Sequence, residues 1–296
     1  MTKHFIKYIE IRAFKCFDSF RTEGFKRVNL ISGENNVGKT ELMEAIYINA
    51  YSKDVKSCFA ALYEISPMKE NINILAGSTE DNIENFIDLN NGIFSKSNIN
   101  QVLYKISNNK ENCNELSLDI KEIHNINFIS HVGLLDVDIV ENYSSIQKRE
   151  KEASSDRIIN SFDPRIEHFK IINNVPSCKV NGKYLKLMNL DDKVKHLVSI
   201  ITSLHASENG YLFIDEIGCD PDCSQIDSIW EIILKVSKEL NFQVFATSQS
   251  KSCIESYGRV VKKLKDEDIT FIELKKKDAL LRATVYPYNL FIDEVD

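Results

Sequence analysis

Apolar positions along this chain change period several times, and each change predicts an element. The opening residues, "MTKHFIKYIEIRAF", alternate apolar and polar side chains as a half-buried strand does. Val28, Leu30 and Ile31 predict a short apolar strand. A helix pattern then carries Leu42, Met43, Ala45, Ile46 and Ile48 on or near one face. Much further on, Val194, Leu197, Val198, Ile201 and Leu204 recur at helical spacing within "NLDDKVKHLVSIITSL" (189–204). Next come Tyr211 to Ile214, an unbroken apolar run of the kind a strand buried on both faces requires. "DSIWEIILKVSKELN" (227–241) reads as an amphipathic helix, and "FQVFATSQS" (242–250) as a strand running into a Ser/Thr-rich turn. Helix–strand–helix–strand is the order of a parallel α/β sheet.

The middle of the chain is less regular. Residues 52–130 are rich in Asn and Ser and show little helical periodicity. "QVLYKI" and "ELSLDIKEI" flank "SNNKENCN", which predicts a β-hairpin. Residues 135–161 read as a charged helix, and 166–188 as short strands with a turn at Asn181-Gly182. No long heptad tract is present, so an extended coiled-coil arm is not expected. The predicted organisation is a head built from 1–51 and 162–296, with 52–161 forming an inserted lobe and a helical lever. The lobe serves either as a cover over the sheet or as a surface for a partner.

Composition narrows the class. The 296 residues suffice for one elaborate domain or two small ones. No apolar run approaches the ~20 residues that span a membrane, and the start lacks a signal-peptide core, so a cytoplasmic protein is expected. Seven cysteines, odd in number and scattered, predict free thiols. Cys219 and Cys223 have no second pair at metal-ligand spacing, so zinc is not expected. Net charge is −7, which gives no bulk support for nucleic-acid binding. The runs at Lys262, Lys263, Lys265 and at Lys275, Lys276, Lys277 read as solvated faces. The histidines, His131 and His196 among them, are dispersed and read as core or surface residues.

The sharpest motif is Gly33-Glu34-Asn35-Asn36-Val37-Gly38-Lys39-Thr40, which fits G-x-x-x-x-G-K-(S/T) at every fixed position. It lies between a predicted strand and a predicted helix, as a phosphate-binding loop must. Gly33 and Gly38 allow a tight turn that aims backbone N–H groups at phosphates, and the helix N-terminus adds positive partial charge. Residues 33 to 41, ending at Glu41, are therefore the candidate ATP-binding segment. Lys39 is assigned to the β- and γ-phosphates, and the Thr40 hydroxyl to Mg²⁺.

Two carboxylate pairs compete for the remaining role. "YLFIDEIG" (211–218) and "NLFIDEVD" (289–296) both read as an apolar strand ending in Asp-Glu. The first pair ends a buried strand between two helices, where ligands gather in a parallel sheet. Asp215 is then expected to face Thr40 across Mg²⁺, and Glu216 to orient or deprotonate the attacking water. The second pair follows a Pro-containing turn. Leu290, Phe291 and Ile292 are expected to tether the C-terminus to the core, with the acids solvated.

The order of phosphate loop, insertion, helix, "LFIDEI", helix and "QVFATSQS" resembles the ABC-type bacterial ATPases of SMC/RecF/OLD type that carry the AAA label. Those are relatives of the ATPase half of the OLD (overcoming lysogenisation defect) nucleases. "FDPRIEHFKII" (162–172) is similar to the family's link from lever to sheet. The resemblance implies an ABC-ATPase-like P-loop head with a mixed sheet, plus a compact inserted β/helical lobe. It implies a dimer or higher homo-oligomer formed on ATP, and control of a partner effector, often in defence against phage or plasmids. Little chain follows Gln249, so a nuclease or toxin is expected to act in trans. The sequence departs from the family at three places. Asp191 and Asp192 stand where Ser or Gly would leave room for a γ-phosphate. Gln249, the candidate catalytic sensor, stands where His is usual. The loop after Glu216 keeps Gly218 only. Two other readings stand beside a slow ATPase: a nucleotide-binding scaffold, and a RecF-like ATPase of DNA repair.

Overall fold

The computed structural model describes residues 4–65, 93–105, 112–113, 116–117, 125–218, 225–277 and 280–295. They divide between two compact units. The first comprises 1–26, 31–123 and 272–285, and the second 27–30, 124–271 and 286–296.

In the first unit, β1 (Tyr8–Phe14) and β2 (Phe17–Glu23) form an antiparallel hairpin. The predicted alternation holds: Ile9, Ile11 and Phe14 are buried, and Arg12 is exposed. β3 (Val28–Gly33) enters this unit with its last residues and runs into the phosphate loop, and α1 (Lys39–Tyr51) follows. α1 is buried on nearly every side, from Leu42 through Ala50. Such a helix needs partners for its buried polar groups, and Asn49 has them. Its amide donates to the carbonyls of Ser95 and Asn100, and its Oδ1 accepts from Ser97 Oγ at 2.7 Å. Asn100 Nδ2 returns bonds to the carbonyls of Asn49 and Ser52 at 2.9 and 2.6 Å. One turn earlier, buried Glu44 pairs with Lys15 of the β1–β2 turn.

α2 (Val55–Glu64) is an element that periodicity missed. It is begun by a capping box, in which the Asp54 side chain accepts from Ser57 N at 2.7 Å and Ser57 Oγ accepts from Asp54 N at 2.9 Å. β4 (Ile93–Ser97) and β5 (Asn100–Lys105) pair antiparallel, and the short β6 (Asn112–Cys113) and β7 (Leu116–Ser117) return on β5. The expected hairpin is therefore present where it is described. The rest of the Asn/Ser-rich stretch lies outside the described residues.

The second unit holds the parallel strands. β8 (Ile126–Ile129) is followed by α3 (Asp136–Lys148) and α4 (Glu152–Phe162). The single charged helix expected here is two helices, broken where Glu150 takes φ +53°. β9 (Ile166–Ile172), β10 (Val175–Val180) and β11 (Lys183–Lys186) form an antiparallel meander. Its two-residue turns, Asn173-Asn174 and Asn181-Gly182, both take positive φ at each central position, as strand twist favours. α5 (Asp192–Ala206), β12 (Tyr211–Ile214), α6 (Ile226–Glu239), β13 (Gln243–Ser248), α7 (Lys251–Leu264) and the start of β14 (Ile269–Lys277) complete the alternation.

The sheet order within this unit is β14-β3-β13-β12-β8, with β12 parallel to both β13 and β8. β12 and β13 are buried at every position. Behind the sheet, Trp230 and Tyr257 pack with ring centroids 4.6 Å apart, and Tyr257 and Phe291 with centroids 5.5 Å apart. Arg27 is buried with Asp266 as its ion partner and also donates to the carbonyl of Leu234 at 3.0 Å.

β15 (Leu280–Pro287) pairs with β14, and the chain closes with α8 (Tyr288–Val295). "NLFIDEV" (289–295) is thus helical, not a strand. A short apolar run fits either period, and here Phe291 is the anchor, buried against Tyr257 and Phe271. Leu290 and Asp293 are exposed. No helix among the described residues is long and apolar enough to cross a membrane.

Candidate functional site

The phosphate loop lies in the first unit. Gly33 has φ +151° and Gly38 φ +105°, and Asn36 between them has φ +58°. A Cβ on Gly33 would lie 2.4 Å from the Leu274 carbonyl oxygen and 2.8 Å from Val37 Cγ1. One on Gly38 would lie 2.8 Å from Cys16 Sγ. Gly33 is therefore required twice, by conformation and by the backbone carbonyl against it, and Gly38 by conformation. α1 starts at Lys39, and the first helical bond runs from Leu42 N to Gly38 O at 2.9 Å. Lys39 Nζ donates to the carbonyls of Gly33 and Glu34 at 3.0 and 2.8 Å. Its ammonium is thus held over the concave side of its own loop. Glu34, Asn35 and Asn36 are exposed, Val37 is buried, and Thr40 and Glu41 are half-buried in the first helical turn. A helix N-terminus and one ammonium, on a loop whose glycines take positive φ, suit a polyphosphate.

The carboxylates lie in the second unit. β12 ends at Ile214, opposite Ala246 of β13, so Asp215 comes beside Thr247. Asp215 is buried, with its amide bonded to the Ile129 carbonyl at 2.8 Å. The Thr247 hydroxyl, fully buried, donates to Asp215 Oδ1 at 2.6 Å and accepts from Glu216 N at 2.8 Å. Ile217 N closes the turn on the Thr247 carbonyl at 2.9 Å. Glu216 takes φ +55°, an αL conformation that costs a non-Gly residue roughly 1 kcal/mol or more and persists only where surroundings fix it. Gly218 follows at φ +74°, close against Ile226 and Cys253.

Glu216 opens into a cleft of about 590 Å³ that Asp191, Asp192, Arg165, His131 and His196 also line. The acid pair 191–192 and Glu216, singled out separately in the sequence, therefore share one cavity. Asp191 caps α5, its Oδ1 accepting from Lys193 N at 2.9 Å. That capping bond explains an Asp at this position. His196, on the first turns of α5, was read from the sequence as a core or surface residue, and it lines this cleft. Burial pushes its pKa down to about 4, against a weaker upward pull from the neighbouring backbone of Asp215. Its Nε2 is shut off from solvent and has no hydrogen-bond partner among the described residues. Gln249 is exposed just past β13, between buried Ser248 and Ser250, the N-cap of α7. The distant candidate, Asp293, is exposed on α8. Among the described residues no cluster of His, Cys, Asp or Glu could by itself hold a metal ion.

Comparison with known proteins bears on the fold more than on the chemistry. No family model matches the chain. An ATP/GTP phosphatase of Helicobacter pylori (strain ATCC 700392 / 26695) is 43% identical over 42 residues, 14% of this chain and 11% of that protein. The match thus spans about a tenth of the relative's length. An SMC head bound to the C-winged helix domain of ScpA superposes with a TM-score of 0.55 at 11% identity, covering 96% of this chain and 98% of the other. The SMC head domain with an extended coiled coil, bound to the C-terminal domain of ScpA derived from Pyrococcus furiosus, gives 0.57 at 10% identity, with 98% of each chain covered. At such identities the similarity is one of fold, and that fold is the α/β, ABC-ATPase-like P-loop head.

Proposed function

We propose that this protein binds ATP with Mg²⁺, hydrolyses it slowly, and uses the nucleotide state to control a partner. The observation that carries the reading is the phosphate loop, with Lys39 held over it, a backbone carbonyl against Gly33, and positive φ at both Gly33 and Gly38. The segment 33–41 is assigned to ATP, Thr40 and Asp215 to Mg²⁺, Glu216 to the attacking water, and Gln249 to the γ-phosphate as an uncharged sensor. Slow turnover is supported by the α5 N-terminus. There the Asp191 carboxylate engages the Lys193 N–H, and Asp192 adds a second negative charge where a γ-phosphate would need donors.

The finer reading is of a cytoplasmic ATPase that dimerises on ATP and gates an effector acting in trans, a nuclease or toxin, in defence against phage or plasmids. It rests on the family resemblance of residues 1–51 and 190–256. The likeness to SMC heads solved with ScpA domains is consistent with a head that takes a partner. The test is calorimetric titration with ATP and Mg²⁺, phosphate release, and sizing in ATP against ADP. Binding without turnover would leave a scaffold. Turnover that rises with DNA would favour the repair reading. No binding would overturn the proposal.

A further inference from the structure

The lysine run at 275–277, which reads from the sequence as a solvated face, ends a strand that lies beside the phosphate loop. β14 is the neighbour of β3 in the sheet. Val28 N bonds to the Asp268 carbonyl, and the Leu274 carbonyl stands against Gly33. Residue numbers rise together along the two strands, so they run parallel. β3 turns into the loop at Gly33, while β14 continues past that turn for three more residues, Lys275, Lys276 and Lys277.

Alternation along the strand divides these lysines between two faces. Lys275 shares a face with Glu273 and pairs with it at 2.8 Å, and Lys277 falls on that face too. Lys276 falls on the other, with buried Ile272 and Leu274. The phosphate loop lies on the side of Lys276. A Cβ on Gly38 would lie 2.8 Å from Cys16 Sγ and 3.7 Å from Cδ2 of Leu281, a residue of β15, the strand paired with β14. Burial and Glu41 push the Cys16 thiol pKa up, and Lys276 and Lys15 are among the groups that pull it down. The Lys276 ammonium therefore stands within electrostatic reach of the thiol that lies against Gly38.

Charge decides what this lysine can do. The segment 33–41 sets two carboxylates, Glu34 and Glu41, against one ammonium, Lys39. Lys15, the other cation beside Cys16, is engaged by Glu44. Lys276 is exposed and has no ion partner among the described residues. A polyphosphate brought to a loop with more acids than cations gains from any further cation at its rim.

We propose that Lys276 is a second side-chain cation for the phosphates of the nucleotide, reaching over the loop from β14 while Lys39 serves them from α1. The assignment rests on the ATP reading of the loop. A lysine that only solvates the strand end would be interchangeable with Lys277, which carries the same charge on the opposite face.

The experiment is calorimetric titration of ATP with Mg²⁺ into wild type, Lys276→Met, Lys276→Arg and Lys277→Met, with a thermal melt of each. Lys276→Met keeps the aliphatic stem and removes the charge. It should weaken ATP binding about tenfold or more, as for loss of a charge-assisted hydrogen bond. Lys276→Arg should recover most of that affinity, Lys277→Met should bind as wild type does, and all four melts should agree. Wild type that binds no ATP would remove the nucleotide reading, and this assignment with it. If wild type binds, four results would each overturn the assignment alone: unchanged affinity in Lys276→Met, equal weakening in Lys277→Met, no recovery in Lys276→Arg, or a lowered melt in Lys276→Met.

Discussion

The Thr247 hydroxyl donates a 2.6 Å hydrogen bond to Asp215 Oδ1 and receives the Glu216 amide on its other side. One fully buried side chain thus fixes the rotamer of one acid and the backbone of the next. Thr247→Val keeps the shape and removes both bonds, at a cost of roughly 1–3 kcal/mol for the groups left unsatisfied. If Asp215 is a Mg²⁺ ligand, the variant should still bind ATP but need several-fold more Mg²⁺ for half-maximal turnover. An unchanged Mg²⁺ dependence, read from phosphate release, would detach Thr247 from the metal.

Lys39→Ala should abolish detectable ATP binding in calorimetry, because Lys39 provides the main side-chain charge on the loop. Its fold should survive, since the lysine's two bonds go to carbonyls of the loop itself. Unchanged affinity in a folded variant would rule out this loop as the phosphate site.

Glu216→Gln should retain ATP and lose turnover by ~10²-fold or more, as for removal of a general base. Glu294→Gln should leave turnover as it is. The two sit in unlike places: Glu216 on a strained turn at the end of a buried strand, Glu294 on a terminal helix. Equal loss in both would mean that the wrong acidic pair was chosen.

Turnover by the isolated protein should fall well below the ~10 s⁻¹ typical of enzymes. Losing one donor to a developing charge costs ~10²-fold or more, and on the proposed reading Asp191 and Asp192 stand in place of donors and Gln249 in place of an ionisable group. Steady-state phosphate release without any partner decides it. Fast turnover would show that the acids at the head of α5 are harmless to hydrolysis.

His196 sets a dependence of stability on pH. Its folded pKa, about 4, lies below the ordinary 6.5, so the unfolded chain takes a proton that the folded chain refuses. Stability is therefore full above about pH 6.5 and falls as pH drops toward 4. The loss between pH 7.5 and 5 should be about 2 kcal/mol from this residue. His205 is shifted in the same direction by burial, so the measurement is a difference: urea midpoints of wild type and His196→Phe at the two pH values. Equal pH slopes would remove His196 as the cause.

Much of this architecture was legible in the sequence because its central strands are buried on both faces. Tyr211 to Ile214 and Val244 to Ala246 could be read as continuous apolar runs, and the glycines of the phosphate loop announced its conformation. Other parts were hidden for definite reasons. α2 is short, and its start depends on the Asp54–Ser57 capping box. α8 shares a short apolar run with any strand, so the period could not decide. Thr247 acquires its role from the lateral register of two strands, and His196 from the packing of α5 beside β12.

α1 is clasped along its whole length, by the Asn49 network at one end and the Lys15–Glu44 pair nearer the other. Such a helix exchanges its amide hydrogens only when the unit around it opens as a whole. Loop residues 34–36, exposed and outside that clasp, should exchange within the dead time. The helix is then a fixed post. A ligand arriving at Lys39 would be registered as slowed exchange in the loop in front of α1, with the helix itself showing no change.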